Sequence, residues 1–146
     1  MAATAGFLNA VLDLYFTNVS HAEIGDATGL VGSTGAGNFY ISLHTGDPVA
    51  GNQTTSEATF GAYTRQAVPR SGAGFTVSAA NVSNAAAVWF PQGSSGSETI
   101  THFAIGENDT PTAGTVFMSG ALDTSRLAGT GILLEFAIGE LDVDLT

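Results

Sequence analysis

The ten residues Phe39–Pro48, FYISLHTGDP, decide the fold class, because they read as a strand that stops in a turn. Phe39, Ile41 and Leu43 fall on one face and alternate with more polar residues, which is the two-residue period of a half-buried strand. Pro48 cannot continue a hydrogen-bonded ladder, and the Gly-Asp pair before it favours a turn. The segment is therefore predicted to be a strand that ends at the surface.

Short apolar segments of the same kind recur along the rest of the chain, each bounded by turn residues. They cover residues 63–68, 75–78, 85–90, 99–105, 115–122, 132–136 and 141–145. In the last of them Leu141, Val143 and Leu145 alternate with Asp142 and Asp144, so one face is expected to be buried and the other solvated. About eight short strands predict a mainly β protein, built as an antiparallel β-sandwich or barrel.

One helix is predicted at the N-terminus, from Thr4 as N-cap to Thr17. Its apolar residues wrap much of the circumference, and Asp13 is its only charge, so the helix needs cover on more than one side. Two covers remain open: the chain's own sheets, or a groove in a neighbouring subunit. The residues predicted to contact other subunits are Phe7, Leu8, Val11, Leu12, Tyr15 and Phe16.

Residues 18–38 are predicted to be an irregular, Gly-rich connecting arm that includes Gly25. The expected organisation is thus an N-terminal helix with its arm over residues 1–38, followed by a β-sandwich domain over residues 39–146. The GSTGAG run in the arm is not a phosphate-binding loop, because it precedes a strand and the chain has no lysine.

Composition points to a protein that is covered by neighbours. Only 11% of its 146 residues are charged, whereas soluble domains average about 25%. Thirteen acids against three arginines give a net charge of −10, which argues against binding a nucleic-acid backbone. No apolar run reaches the length of about 18 residues that a membrane span needs, and there is no cysteine for a disulfide or thiolate metal site.

No catalytic, cofactor-binding or metal-binding residue is predicted. His21, His44 and His102 lack metal-ligand spacing, there is no Gly-x-Ser-x-Gly nucleophile motif, and no lysine exists to form a Schiff base. The loop from Glu107 to Asp109 is rich in oxygen ligands for calcium. It lacks the glycine and the closing glutamate of an EF-hand, so a plain Asx-type turn is the preferred interpretation.

Arg65 is the charged residue most expected to make a specific contact. In so acidic a chain its guanidinium is predicted to pair bidentately with a carboxylate of the same or a neighbouring chain, or to lie exposed on a strand face. It completes the set of predicted interface residues.

A string of motifs carries a family resemblance along nearly the whole chain. It runs from LHTGDP (43–48) and Glu57 through GAYTRQ (61–66), Ser83-Asn84, Phe90-Pro91 and THFAI (101–105) to SGAL (119–122) and FAIGEL (136–141). In these segments the sequence resembles a family of small tailed-phage virion structural proteins, labelled tail-fibre-like or capsid-associated. The resemblance implies motif residues that determine the fold rather than catalyse a reaction.

Three functions remain open on this basis. The preferred hypothesis is a capsid decoration or cement protein, made in the host cytoplasm, that braces the major capsid protein lattice on the outer capsid as a trimer. The alternative is a tail-associated adaptor, tip or fibre-attachment protein, although the chain lacks the long repetitive stretch of a fibre shaft. A third is a glycan-binding module that stacks sugar rings on Trp89, Tyr40 or Tyr63.

Overall fold

The structure is a computed structural model that describes residues 2–22 and 29–144. Gly25 of the predicted arm and Leu145 of the predicted last strand lie outside the described residues. The strands, numbered in chain order, are β1 (Asn38–His44), β2 (Gln66–Pro69), β3 (Phe75–Ser78), β4 (Asn81–Asn84), β5 (Val88–Trp89), β6 (Ser97–Gly106), β7 (Val116–Gly129), β8 (Glu135–Phe136) and β9 (Asp142–Asp144).

The strands form three open sheets, in the orders β2-β1-β6-β7, β3-β4-β9 and β5-β8. Neighbours pair antiparallel, as in β1 with β6, where Ile41 faces Ile105 and Leu43 faces Phe103. The predicted mainly β, antiparallel fold with one N-terminal helix is confirmed. No sheet formed by the described residues closes on itself, so of the two architectures considered the barrel is not formed.

The N-terminal helix starts where its sequence predicts and changes type before it ends. The helix α1 spans Ala5–Leu12, and the hydroxyl of its N-cap Thr4 accepts a hydrogen bond from the Phe7 N–H at 3.3 Å. A π-helical turn, Asp13–Thr17, follows, and the N–H of left-handed Asn18 donates to the Asp13 carbonyl. The Thr17 hydroxyl bonds the same carbonyl at 2.8 Å, in competition with the backbone bond of an α-helix.

By packing, the chain groups into two compact units. The first contains the described residues of Met1–Asn38, Pro69–Val88 and Phe136–Thr146, and the second contains Phe39–Val68 and Trp89–Glu135. The predicted division into residues 1–38 and 39–146 stays a prediction.

In the first unit the helical segment packs on β3 and β4. Leu12 and Phe16 are fully buried, and the Phe16 ring meets the Phe75 ring edge to face, with 5.1 Å between centroids. Val82 of β4 lies opposite Val143 of β9, which extends the apolar layer. The helix is thus covered on one side by strands of its own chain.

In the second unit β1 is more buried than its sequence predicts. Phe39, Ile41 and Leu43 are buried as expected, but Ser42 and His44 on the other face are also fully buried. The prediction of a half-buried strand is therefore wrong at this end. The reason is that β1 is an interior strand, flanked by β2 and β6, and that loop residues such as Thr55 cover its second face.

Candidate interaction surface

Arg65 lies in the second unit and is buried against its own chain. Its Nε and Nη2 donate to the two carboxylate oxygens of Glu57, at 2.7 and 2.8 Å. The remaining N–H groups donate to three backbone carbonyls, those of Asn108, Thr110 and Thr112. The predicted bidentate pair is thus formed within the chain, and it fixes the loop between β6 and β7.

Tyr63 closes this cluster from the other side. Its hydroxyl donates to Glu57 at 3.1 Å and accepts the Leu43 N–H at 3.0 Å. Burial raises the pKa of the Tyr63 hydroxyl, so it stays protonated and keeps donating. Its ring lies beside the rings of Phe60 and Phe90. Tyr63 is therefore used for packing and hydrogen bonding within its own chain.

Arg70 in the first unit resembles Arg65, because its guanidinium also bonds carbonyls of its own chain. The sequence analysis assigned no role to Arg70. Its Nε and Nη2 donate to the carbonyls of Tyr15 and Leu14, at the end of the helical segment, where a cation is favourable. The other N–H groups reach Asn18, Ser33 and Ala36. Arg70 thereby ties the helix end to the connection that follows it.

The connection after the helix is folded back on itself. His21 and Leu30 form an antiparallel bridge with two backbone hydrogen bonds of 2.8 Å. The side-chain amide of Asn18 pairs with the backbone of Ser33, donating at 2.8 Å and accepting at 2.7 Å. The described part of the expected arm is therefore attached to its own unit instead of reaching away from it.

Two further polar residues of the motif string, Asn84 and His44, are buried and bond to the backbone. The Asn84 side chain donates to the carbonyls of Ala86 and Ala137 and accepts the Leu141 N–H, all at 2.8–2.9 Å, so it anchors the closing segment. His44 bonds the Thr55 carbonyl through Nδ1, which makes Nδ1 the protonated nitrogen.

The Ser42 hydroxyl lies 2.8 Å from His44 Nε2, and both side chains are fully buried. This serine–histidine pair has the composition of a nucleophile and its base. A nucleophile must reach its substrate, and this serine is sealed beneath the surface. The pair is therefore a structural hydrogen bond.

The loop weighed as a cation site uses its carboxylate internally. Glu107 Oε1 accepts both the N–H and the hydroxyl of Thr115, at 2.8 and 2.9 Å, and these two bonds lower the pKa of Glu107. The Asn108 N–H donates to the buried side chain of Gln53. Across the described residues, no group of three or more His, Asp or Glu side chains is placed to hold a metal ion.

The exposed apolar side chains are concentrated at the N-terminus. Phe7, Val11 and Tyr15 are spaced four residues apart on the helical segment and are 48%, 38% and 36% exposed. They lie beside the buried side that carries Leu12 and Phe16, and the Tyr15 ring meets the Phe16 ring edge to face with 5.3 Å between centroids. Leu8 is half-buried. We call Phe7, Val11 and Tyr15 the N-terminal stripe.

The residues predicted to contact other subunits have different surroundings in the structure. Leu12 and Phe16 are used for packing within the first unit, and Arg65 has acceptors in its own chain for all five N–H groups. The predicted contact with other subunits stays a prediction for the stripe. Elsewhere Trp89 is 52% exposed and Tyr40 half-buried.

The sequence matches, over residues 3–144, the family described as Podophage GP4 fiber I protein gp80. The chain belongs to this family. No curated protein matches it. Membership confirms the coarser expectation, a phage virion structural protein, and the family is not an enzyme family. It gives no support to a place on the outer capsid surface.

Family membership leaves the motif string itself untested, but several of its residues have a structural role. Asp47 of LHTGDP accepts the Val49 N–H and the Ser119 hydroxyl, and these two bonds lower the pKa of Asp47. Glu57 and Arg65 form the buried ion pair, and Asn84 anchors the closing segment. No helix in the described ranges is long and apolar enough to cross a bilayer.

Proposed function

We propose that this chain is a structural component of the podophage tail, held in the virion by contacts with other virion proteins through its N-terminal stripe. The observation that carries the proposal is the match over residues 3–144 to a phage fibre protein family. It favours the tail-associated alternative over the capsid cement hypothesis, which has no comparable support.

The surface of the chain supports attachment through the N-terminus. Six of the twelve large apolar side chains that are exposed in the described residues lie in this part of the chain: Phe7, Val11, Tyr15, Val19, Leu30 and Val31. Asp13 is the only charged residue within the described residues 2–22 and 29–38. A surface that is apolar and almost uncharged is suited to burial against a protein partner, because there is little charge to desolvate.

The interior supports a passive, mechanical role. The buried polar groups Glu57, Arg65 and Asn84 and the half-buried Arg70 are bonded to the chain itself, and the Ser42–His44 pair is out of reach of a substrate. Side chains arranged in this way hold loops in one conformation. A contact surface on such a body loses little conformational entropy when it binds.

The location is tested by separating purified virions into heads and tails and quantifying this chain in each fraction by mass spectrometry. We expect it in the tail fraction, at a small copy number set by the tail's rotational symmetry. Recovery with the heads, in proportion to the major capsid protein, would overturn the proposal in favour of the cement hypothesis.

A further inference from the structure

The edge strand β7 carries an irregular protrusion. Its pairing with β6 shifts register between the pairs Ile100–Arg126 and His102–Ala121. Four residues of β7, Leu122–Ser125, therefore lie opposite the single residue Thr101. We call Leu122–Ser125 the β7 bulge. Bulges of this kind interrupt a sheet edge and turn side chains outward.

The sequence around the bulge reads almost the same in both directions. Residues 120–129 are GALDTSRLAG, and the reversed string is GALRSTDLAG. The glycines, alanines and leucines are symmetric about the point between Thr124 and Ser125. Asp123 and Arg126 occupy equivalent places with opposite charge.

The charged side chains at this protrusion have no partner among the residues that the structure describes. Asp123 and Arg126 are both exposed, and neither side chain makes a hydrogen bond or ion pair with any described residue. The other two arginines, Arg65 and Arg70, are fully occupied by internal acceptors. Next to Arg126, Leu127 is 55% exposed. The segment thus presents a cation, an anion and an apolar side chain together.

We propose that two copies of this chain meet at the β7 bulge about a two-fold axis. In an isologous contact a rotation of 180° relates the two copies, so that if residue i of one copy meets residue j of the other, j also meets i. Antiparallel alignment about the point between Thr124 and Ser125 sets Asp123 of each copy against Arg126 of the other. The same alignment sets Leu122 against Leu127.

The charge pattern is what selects a second copy as the occupant. Two molecules with a net charge of −10 repel each other over most of their surfaces. At the bulge a second copy supplies an arginine for each aspartate and an aspartate for each arginine, at the matching spacing. The contact is small and exposed to water, so the association is expected to be weak and to weaken further with salt.

Charge reversal tests this arrangement. In the proposed contact Asp123→Arg and Arg126→Asp each replace two attractive pairs by two repulsive ones. We expect sedimentation velocity, at low salt and up to about 1 mM protein, to show a reversible dimer of the wild type. Each single variant should associate at least about tenfold more weakly. An equimolar mixture of the two variants should form heterodimers, because every pair is again of opposite sign.

Two controls keep the result interpretable. Asp109→Arg makes the same charge change at another exposed site and should dimerise like the wild type. The double variant D123R/R126D exchanges the charges within one chain and should also dimerise, which provides a second test if a single variant fails to fold, as judged by circular dichroism. A monomeric wild type, single variants that dimerise normally, or a mixture that stays monomeric would overturn the proposal. The inference does not depend on where in the virion the chain lies.

Discussion

Arg65 and Arg70 each direct five guanidinium N–H groups at acceptors in their own part of the chain. For Arg65 these are the Glu57 carboxylate and three carbonyls, and for Arg70 they are mainly carbonyls at the helix end and in the following connection. Only arginine offers five donors in a fixed planar fork. In a chain with three cations, two of them fix backbone segments.

Replacing Arg65 by methionine should destabilise the protein by about 3 to 5 kcal/mol. The change leaves the Glu57 carboxylate buried without its partner and three carbonyls without their donor. Urea unfolding followed by tryptophan fluorescence measures the free energy of unfolding. Arg126→Met removes an exposed arginine and should change it by no more than about 0.5 kcal/mol. Equal losses in the two variants would contradict the structural role given to Arg65.

Asn84→Asp should destabilise the protein by about 3 kcal/mol, because a carboxylate cannot donate to the carbonyls of Ala86 and Ala137. The loss of protection should be greatest in the closing segment that Asn84 anchors. Hydrogen exchange at residues 137–141 is expected to accelerate more than exchange in β1 and β6. Asn38→Asp makes the same chemical change at an exposed position and should leave exchange unaltered. Uniform acceleration across the chain would argue against a local anchor.

Stability should fall as the pH drops below about 6.5, through His44. Burial lowers the pKa of His44 below its ordinary value of 6.5, against a smaller opposite effect of its bond to the Thr55 carbonyl. Between the two values the unfolded chain binds a proton that the folded chain does not, so acid favours unfolding. Above pH 6.5 this contribution is constant.

The measurement is the melting temperature of the wild type and of His44→Asn between pH 7.5 and 5.5. The melting temperature should fall further between pH 7.5 and 5.5 for the wild type than for the variant. Parallel curves would show that His44 does not titrate differently in the folded and unfolded states.

The sequence predicted that Arg65 pairs with a carboxylate, but it did not predict the three carbonyls that Arg65 also bonds. A bidentate pair with a carboxylate is a common use of arginine, and Glu57 lies only eight residues away. The three carbonyl acceptors lie 43 to 47 residues further along, and a carbonyl leaves no signature in a sequence. Arg70 went unassigned for the same reason.

For the N-terminal helical segment, the spacing of apolar residues predicted some features of the element and missed others. The Thr4 cap and the helical spacing predicted the element and its start. They did not separate the buried side, Leu12 and Phe16, from the exposed stripe, because both sides are apolar. The π-helical turn was also missed, since it depends on bonds to the Asp13 carbonyl that form only in the folded chain.

The two sides of the helix should respond differently to substitution. Phe7→Ser with Val11→Ser should change the free energy of unfolding by no more than about 0.5 kcal/mol, because both side chains are already exposed. Phe16→Ala should cost about 3 to 5 kcal/mol, because its ring is fully buried against Phe75. Chemical denaturation measures both.

The same stripe variant should fail in assembly while it folds normally. When virions are produced with F7S/V11S in place of the wild type, the chain should be depleted from purified particles. Val49→Ser, at another exposed apolar position in the second unit, should be incorporated at the wild-type level. Normal incorporation of F7S/V11S would rule out the stripe as the attachment surface.

At the scale of the whole molecule, composition and fold lead to one account. A chain with few charges and an apolar N-terminus belongs to a phage fibre protein family. Composition alone predicted an assembly component, because burial by neighbours is a property of the whole surface. It could not distinguish head from tail, because both require the same kind of surface. A trimer, if formed, needs an interface other than the two-fold contact at the β7 bulge.

The most direct measurement is a cryo-electron microscopy reconstruction of the intact virion at a resolution that traces this chain. The account predicts that the chain lies on the tail, with Phe7, Val11 and Tyr15 buried against another virion protein. A chain seated on the capsid shell, or one on the tail whose N-terminal stripe faces solvent, would contradict it.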